Sequence, residues 1–181
     1  MNPDNDEEKT MTKIEVNVFG YDPKWKDGGP HNYFTGKFVY QQICPEDQQF
    51  MDTKGNLNLE SLEITDEVEI IYNWVSPWVA NGGKLFKAEF WKEPDDNFWV
   101  VKGNGKPKLS DKAPGTGQFV VERLSPTKLK VTDKNDDTKH YTYAIAVRLF
   151  YAEQEEPDKS EGEFFVDDPK ITNRGNNRVV R

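Results

Sequence analysis

The stretch His140–Glu153, HYTYAIAVRLFYAE, narrows the fold more than any other part of the chain. Every second residue from Tyr141 onward is large and apolar: Tyr141, Tyr143, Ile145, Val147, Leu149 and Tyr151. Side chains alternate faces along an extended strand, so these six make one continuous stripe. The other face, His140, Thr142, Ala144, Ala146, Arg148 and Phe150, is small or mixed. A helix would scatter the stripe around its circumference, and aromatic and β-branched residues favour a pleated surface. The segment therefore predicts a long central strand, with His140 on its surface face.

The rest of the chain repeats the pattern in shorter pieces. Residues 1–11 are polar and acidic and predict a disordered leader. Alternation predicts strands over Lys13–Gly20, Tyr33–Gln42, Glu67–Val75 and Lys84–Trp91. It predicts further strands over Asn97–Lys102, Gln118–Leu124 and Thr127–Val131. Tyr21–Asn32, Ser76–Gly83 and Gly103–Gly117 are dense in glycine and proline and predict loops. Thr53–Asn56 predicts a hairpin turn, and Gln154–Glu163 an acidic linker. Phe164–Thr172 predicts an edge strand, where Pro169 would be tolerated, followed by a frayed tail at 174–181. No segment has convincing helical periodicity, and no internal repeat is present. The expected fold is all-β: one antiparallel two-sheet sandwich over 12–173, immunoglobulin-like, with about eight to ten strands.

Charge and cysteine content limit the function classes. The 181 residues carry a net charge of −8. That opposes nucleic-acid binding, which depends on cations that neutralise phosphate. The single Cys44 leaves no intramolecular disulfide and fits a reducing compartment. The start, MNPDNDEEKTMTK, has no apolar run, and no span approaches the ~20 apolar residues of a membrane helix. The expectation is a cytoplasmic protein that uses neither nucleic acid nor membrane.

No catalytic or metal motif stands out, so no cofactor is expected. Cys44 with His31 or His140 lacks any surrounding motif and reads as a small buried residue beside a turn. Gly103–Lys106, GNGK, lacks the following helix that a phosphate loop needs. Asp133, Asn135 and Asp137 have the spacing that opens a calcium loop. Thr138, however, stands where glycine belongs, and Ala144 where a glutamate belongs, so the stretch reads as a polar turn. Acidic residues are plentiful, but none is marked as a hydrolytic pair, and an unrecognised hydrolase ranks last. Trp74 belongs to a buried stripe. Trp25 and Trp78 fall in predicted loops, and Trp91 lies opposite the Phe86/Ala88/Phe90 face. These three are the candidate ligand-binding residues, for a glycan or small ligand stacked on exposed rings. The competing expectation is a homo-oligomer formed through a sheet edge.

At Asp167–Gly175 the chain reads DDPKITNRG. This resembles the C-terminal signature of the DP-EP family of small bacterial proteins of unassigned function, with Asp168-Pro169, Ile171, Asn173 and Arg174 matching its pattern. IEVNVFGYD at Ile14–Asp22 and GKFVY at Gly36–Tyr40 are also similar to that family, so the resemblance spans Lys13–Arg174. The loops at Tyr21–Asn32 and Gly103–Gly117 are longer here. Both Glu93-Pro94 and Glu156-Pro157 qualify as the Glu-Pro partner. The resemblance implies a β-sandwich and a bacterial source, and it lends no activity. A second similarity, to bacterial β-sandwich proteins of the inclusion-body type, implies self-association.

Overall fold

The computed structural model describes residues 11–26, 33–57, 59, 64, 66–137, 139–151, 162–167 and 173–174. The leader up to 10, His31, most of the acidic linker, Asp168–Thr172 and the tail beyond 174 lie outside them. Eleven strands are described: β1 (Thr12–Lys26), β2 (Tyr33–Cys44), β3 (Val68–Trp74), β4 (Trp78–Asn81), β5 (Lys84–Glu89), β6 (Phe98–Lys102), β7 (Phe119–Ser125), β8 (Lys128–Asp133), β9 (His140–Tyr151), β10 (Glu163–Asp167) and β11 (Asn173–Arg174). Among the described residues the only helical turns are two 3-10 turns, Pro94–Asn97 and Ala113–Thr116. No described helix is long and apolar enough to cross a membrane.

The fold is all-β, but it is not the expected antiparallel, immunoglobulin-like pair of sheets. The strands form one mixed sheet in the order β4-β5-β9-β10-β2-β1-β3-β8-β7, with β6 and β11 attached to β9. Two pairs are parallel, β1 with β3 and β10 with β2. The reason lies in β9. Its first half pairs with β6 and β11, and its second half with β5 and β10. One strand thus serves both layers, and the sheet curls over its own core. Tyr72 on β3 and Tyr143 on β9, four places apart in the strand order, meet across that core with their hydroxyls 2.7 Å apart.

The predicted stripe is buried from Tyr141 to Leu149, with Tyr151 half exposed. The opposite face is buried as well from Thr142 to Ala146. Ala144 and Ala146 are small, so Trp99, Phe164 and Val166 from the flanking strands gather there in a second apolar cluster. His140 is exposed, as expected.

Three local expectations change. Tyr21–Lys26 is strand, not loop. A register shift between Tyr21 and Lys24 absorbs Asp22 and Pro23, with Asp22 at a φ of 55°, and pairing with β2 then resumes through Lys26. Trp78–Asn81 is also strand, paired with β5. The Phe164–Val166 segment is not an edge, because β10 lies between β9 and β2 with Phe165 fully buried. Gly20 and Gly36 leave the space that the Phe165 ring fills. A Cβ on Gly36 would stand 2.4 Å from that ring, and one on Gly20 would stand 2.8 Å from it and 2.2 Å from Trp74.

Candidate functional site

Among the described residues β10 runs beside β2 from Phe165–Phe34 to Asp167–Gly36. The chain next pairs with β9, at Asn173–Arg174. Past Gly36 the edge of β2 borders an opening. The turn after β2 closes its far side, where the Tyr40 N–H donates to the Thr53 carbonyl at 3.1 Å. Between these two points is a cleft of about 490 Å³, lined by Tyr21, Gly36, Lys37, Phe38, Lys54, Asn56 and Asp167.

Each wall has a physical origin. The turn is built by Asp52, whose Oδ1 accepts the Lys54 and Asn56 N–H groups at 2.8 Å each and whose Oδ2 accepts the Asn56 amide at 2.7 Å. Burial acts to raise the Asp52 pKa. The Asn56 and Lys54 hydrogen bonds and the Lys54 charge outweigh it and hold the carboxyl below its usual range. Gly55 supplies the left-handed residue, with φ at 79°. A Cβ there would also press on the Tyr40 ring at 2.8 Å. The result is a fixed turn that presents Lys54.

At the other end the buried Tyr40 hydroxyl donates to Asp167 Oδ2 at 2.6 Å. Burial first, and then the Asp167 charge, keep Tyr40 protonated well above the usual tyrosine range. The Asp167 carboxylate is thereby oriented. Lys37 and Tyr21 face each other in register, with the ammonium 5.8 Å from the ring centroid. Two ammonium groups and one carboxylate leave the cleft net positive in a chain of net charge −8.

The three candidate tryptophans are not one patch. Trp25 lies on β1 against Phe34, with ring centroids 4.9 Å apart. Phe34 lies 6.2 Å from Phe86, whose ring in turn lies 5.1 Å from that of Tyr151. Phe86 pairs with Val79, so Trp78, one residue along, points to the opposite face. Trp78 is half exposed there, opposite Lys87. Trp91 shares that outer face but is buried, correcting its place in an exposed trio. Its ring stacks near Phe150 at 5.9 Å and receives the Arg148 guanidinium at 4.8 Å. Phe164 takes the same guanidinium at 3.9 Å.

Among the described residues, none of the remaining candidates lines the cleft. Asp133 and Asn135 are buried. Asp133 Oδ1 accepts from Gln118 and from the Asn135 N–H, and the Asn135 amide donates to the Ile64 and Asp66 carbonyls. Asp137 accepts the Tyr141 hydroxyl at 2.6 Å. The stretch is a polar clasp, and no metal-holding cluster occurs among the described residues. Cys44 is exposed at the end of β2, not buried, because it falls where β2 leaves the sheet. His140 opens β9, on a different strand.

Sequence reasoning passed over the cleft because four separate segments supply it. Its one legible trace was the turn at Thr53–Asn56, which the structure anchors on Asp52. Asp167 entered only as the first residue of the DDP stretch.

No family model matches the chain, and no curated protein matches it. Among solved structures it is similar to an inclusion body protein, PixA, from Burkholderia cenocepacia J2315. The TM-score is 0.46 at 9% identity, with 92% of this chain and 98% of that chain covered.

Proposed function

We propose that this is a non-catalytic, cytoplasmic bacterial protein that binds a small polar ligand in the β2 cleft. The observation that carries the reading is the cleft's construction. Its charged side chains are presented by rigid parts: a turn fixed by Asp52, a carboxylate fixed by Tyr40, and a paired strand. Such sites pair a few oriented polar groups with an aromatic wall, here Tyr21. The DP-EP resemblance is compatible with this reading, since Asp167 opens the stretch that carries it.

The test is a ¹⁵N–¹H correlation spectrum recorded with a panel of sugars, sugar acids, amino acids and short peptides. A member of the panel is expected to shift the Lys37, Phe38, Lys54 and Asn56 amides in a saturable way. Tyr21→Ala and Lys54→Gln should each weaken that response at least tenfold. Saturable shifts confined to the amides around Trp78 would instead favour the alternative, a glycan on exposed tryptophan. An unresponsive cleft would remove the reading.

One observation favours self-assembly as a second reading. β4 ends the sheet, and Trp78 and Leu85, on the outer face of the β4–β5 hairpin, are each 50% exposed. An apolar edge hairpin is a template for a second copy. Under this reading, light scattering across a concentration series gives a mass that rises, and Trp78→Glu returns it to the monomer. Truncation from residue 164 is not a usable test, because it removes Phe165 from the core.

A further inference from the structure

Asn81-Gly82 and Asn104-Gly105 are the two Asn-Gly pairs of the chain. In such a pair the main-chain nitrogen of the glycine can reach the side-chain amide carbon of the asparagine, because glycine has no Cβ to block the approach. The two pairs sit in different surroundings. Asn81 ends β4 and pairs with Lys84 across a turn made by Gly82 and Gly83, whose φ angles are 57° and 76°. In an extended residue the side chain stands out from the strand while the next main-chain nitrogen lies along it. The two cannot meet until the last pair of the hairpin opens.

Asn104 lies just past the end of β6. Lys102–Tyr141 is the last pair of that ladder, and Gly103, with φ at 83°, turns the chain out of it. Asn104 and Gly105 are exposed. Among the described residues neither the Asn104 side chain nor the Gly105 N–H has a hydrogen-bond partner. Turning Asn104 toward its neighbour therefore breaks no pairing.

We infer that Asn104-Gly105 is a self-modification site, at which the folded protein converts Asn104 to aspartate and isoaspartate while Asn81 is held back. The Gly105 nitrogen forms a bond to Asn104 Cγ, and the bond from Cγ to the amide nitrogen breaks. The leaving nitrogen takes the proton from Gly105 and departs as ammonia. Water then opens the cyclic imide at either of its two carbonyl carbons. Opening at Cγ gives aspartate, and opening at the main-chain carbon gives isoaspartate. The balance is one amide nitrogen exchanged for oxygen and one negative charge added to the −8 of the chain. Water is the sole co-reactant.

The change is contained by its flanks. The Gly103 N–H donates to the His140 carbonyl, and the Gly103 carbonyl accepts the Thr142 hydroxyl, at 2.7 Å each. The Lys108 N–H donates to Asp111 Oδ2, and the Asp111 N–H to the Lys108 carbonyl, at 2.8 Å each. The methylene that isoaspartate adds to the main chain falls between these anchors. The aged protein therefore keeps its fold and differs in charge.

The experiment incubates the full chain in mildly alkaline buffer, with and without urea, and follows both sites by peptide-mapping mass spectrometry. In the native protein the Asn104 peptide is expected to gain about 1 Da at least tenfold faster than the Asn81 peptide. In urea the two rates should converge. Asn104→Gln, whose longer side chain must close a larger ring, should remove the early acidic form seen by ion exchange. That acidic form, isolated from wild type, should keep the urea midpoint of the fresh protein. Equal rates at the two sites in the native protein, or a faster Asn81, would overturn the inference. So would an unchanged Asn104 over a period in which the unfolded chain converts, or an early acidic form that persists in Asn104→Gln. A lowered midpoint in the acidic form would overturn the containment by the flanks.

Discussion

Gly36→Ala is expected to destabilise the protein by about 3 kcal/mol, the upper part of the range for forcing extra atoms into a packed core. The new methyl would stand 2.4 Å from Phe165 Cε2 and 2.8 Å from the Tyr21 carbonyl oxygen. The oxygen belongs to paired backbone and cannot swing away. The Phe165 ring cannot retreat either. It lies 4.8 Å from Phe38 and 6.3 Å from Trp74, centroid to centroid, and is fully buried. The measurement is urea unfolding of the wild type, Gly36→Ala, Phe165→Leu and the double variant. Because the two residues are in contact, their effects should not add. Phe165→Leu alone should be costly, yet in the Gly36→Ala background it should cost less, since the smaller side chain frees the space the methyl takes. Strict additivity would show that the glycine is not there for the ring. A Gly36→Ala protein as stable as wild type would show that the strand has room the structure does not.

Raising the pH above about 10 is expected to unfold the protein steeply. Tyr40, Tyr72 and Tyr143 are fully buried and clustered beneath the Gly55 turn, where the Tyr143 hydroxyl also donates to the Gly55 carbonyl at 3.2 Å. Burial is the main reason each pKa is raised; at Tyr72 the Tyr143 hydrogen bond works against it, and neighbouring acidic groups add to it at all three. In the unfolded chain these phenols ionise near pH 10. Between that pH and their folded values the native state holds protons that the unfolded state has lost. Stability is therefore complete below pH 10 and falls as pH rises. Each such group contributes a slope of about 1.4 kcal/mol per pH unit, so three give about 4. A stability of about 10 kcal/mol would be exhausted by about pH 12.5. Far-ultraviolet circular dichroism and the tyrosinate absorbance at 295 nm, followed together, check this. The last phase of tyrosine ionisation should coincide with loss of the β signal. Tyr143→Phe, although it removes a hydroxyl from Tyr72, should reduce the slope by about a third. Full ionisation of all seven tyrosines with the native β signal intact would overturn the account.

The strands were legible because alternation is a local property. Val68, Ile70, Tyr72 and Trp74 all face the core as their spacing required. Ile71 is buried on the other side, as its place opposite the stripe suggested. The single curled sheet was not legible, because it depends on which strands a long β9 can serve at once, and that is decided by partners far apart in sequence. The proline and glycine signals misled at two places. Asp22-Pro23 is a bulge inside a strand, not the start of a loop. Phe164–Thr172 read as an edge strand because Pro169 suits one, but Glu163–Asp167 has neighbours on both edges. For the site, exposed aromatics were sought in loops, whereas the cleft is lined by residues of β1, β2, the turn after β2 and the end of the described β10. A meeting of four distant segments leaves no mark in the sequence of any one of them.

The position of β10 has a consequence for how the molecule is made. Among the described strands it joins the β4-β5-β9 side of the strand order to the β2-β1-β3-β8-β7 side. On a ribosome, residues that form eight of the other strands are synthesised before β9 exists, and β9 before β10. Until Glu163–Asp167 emerges, β2 and β9 each present an open edge, and the core between them is unsealed. The first strands must wait for a partner about 130 residues downstream, a long-range closure of the kind that slows folding. The nascent chain thus passes through a stage in which its two longest-lived edges invite pairing with other chains. A short, late segment acts as the closing stitch, and its arrival sets the moment at which this protein stops being sticky.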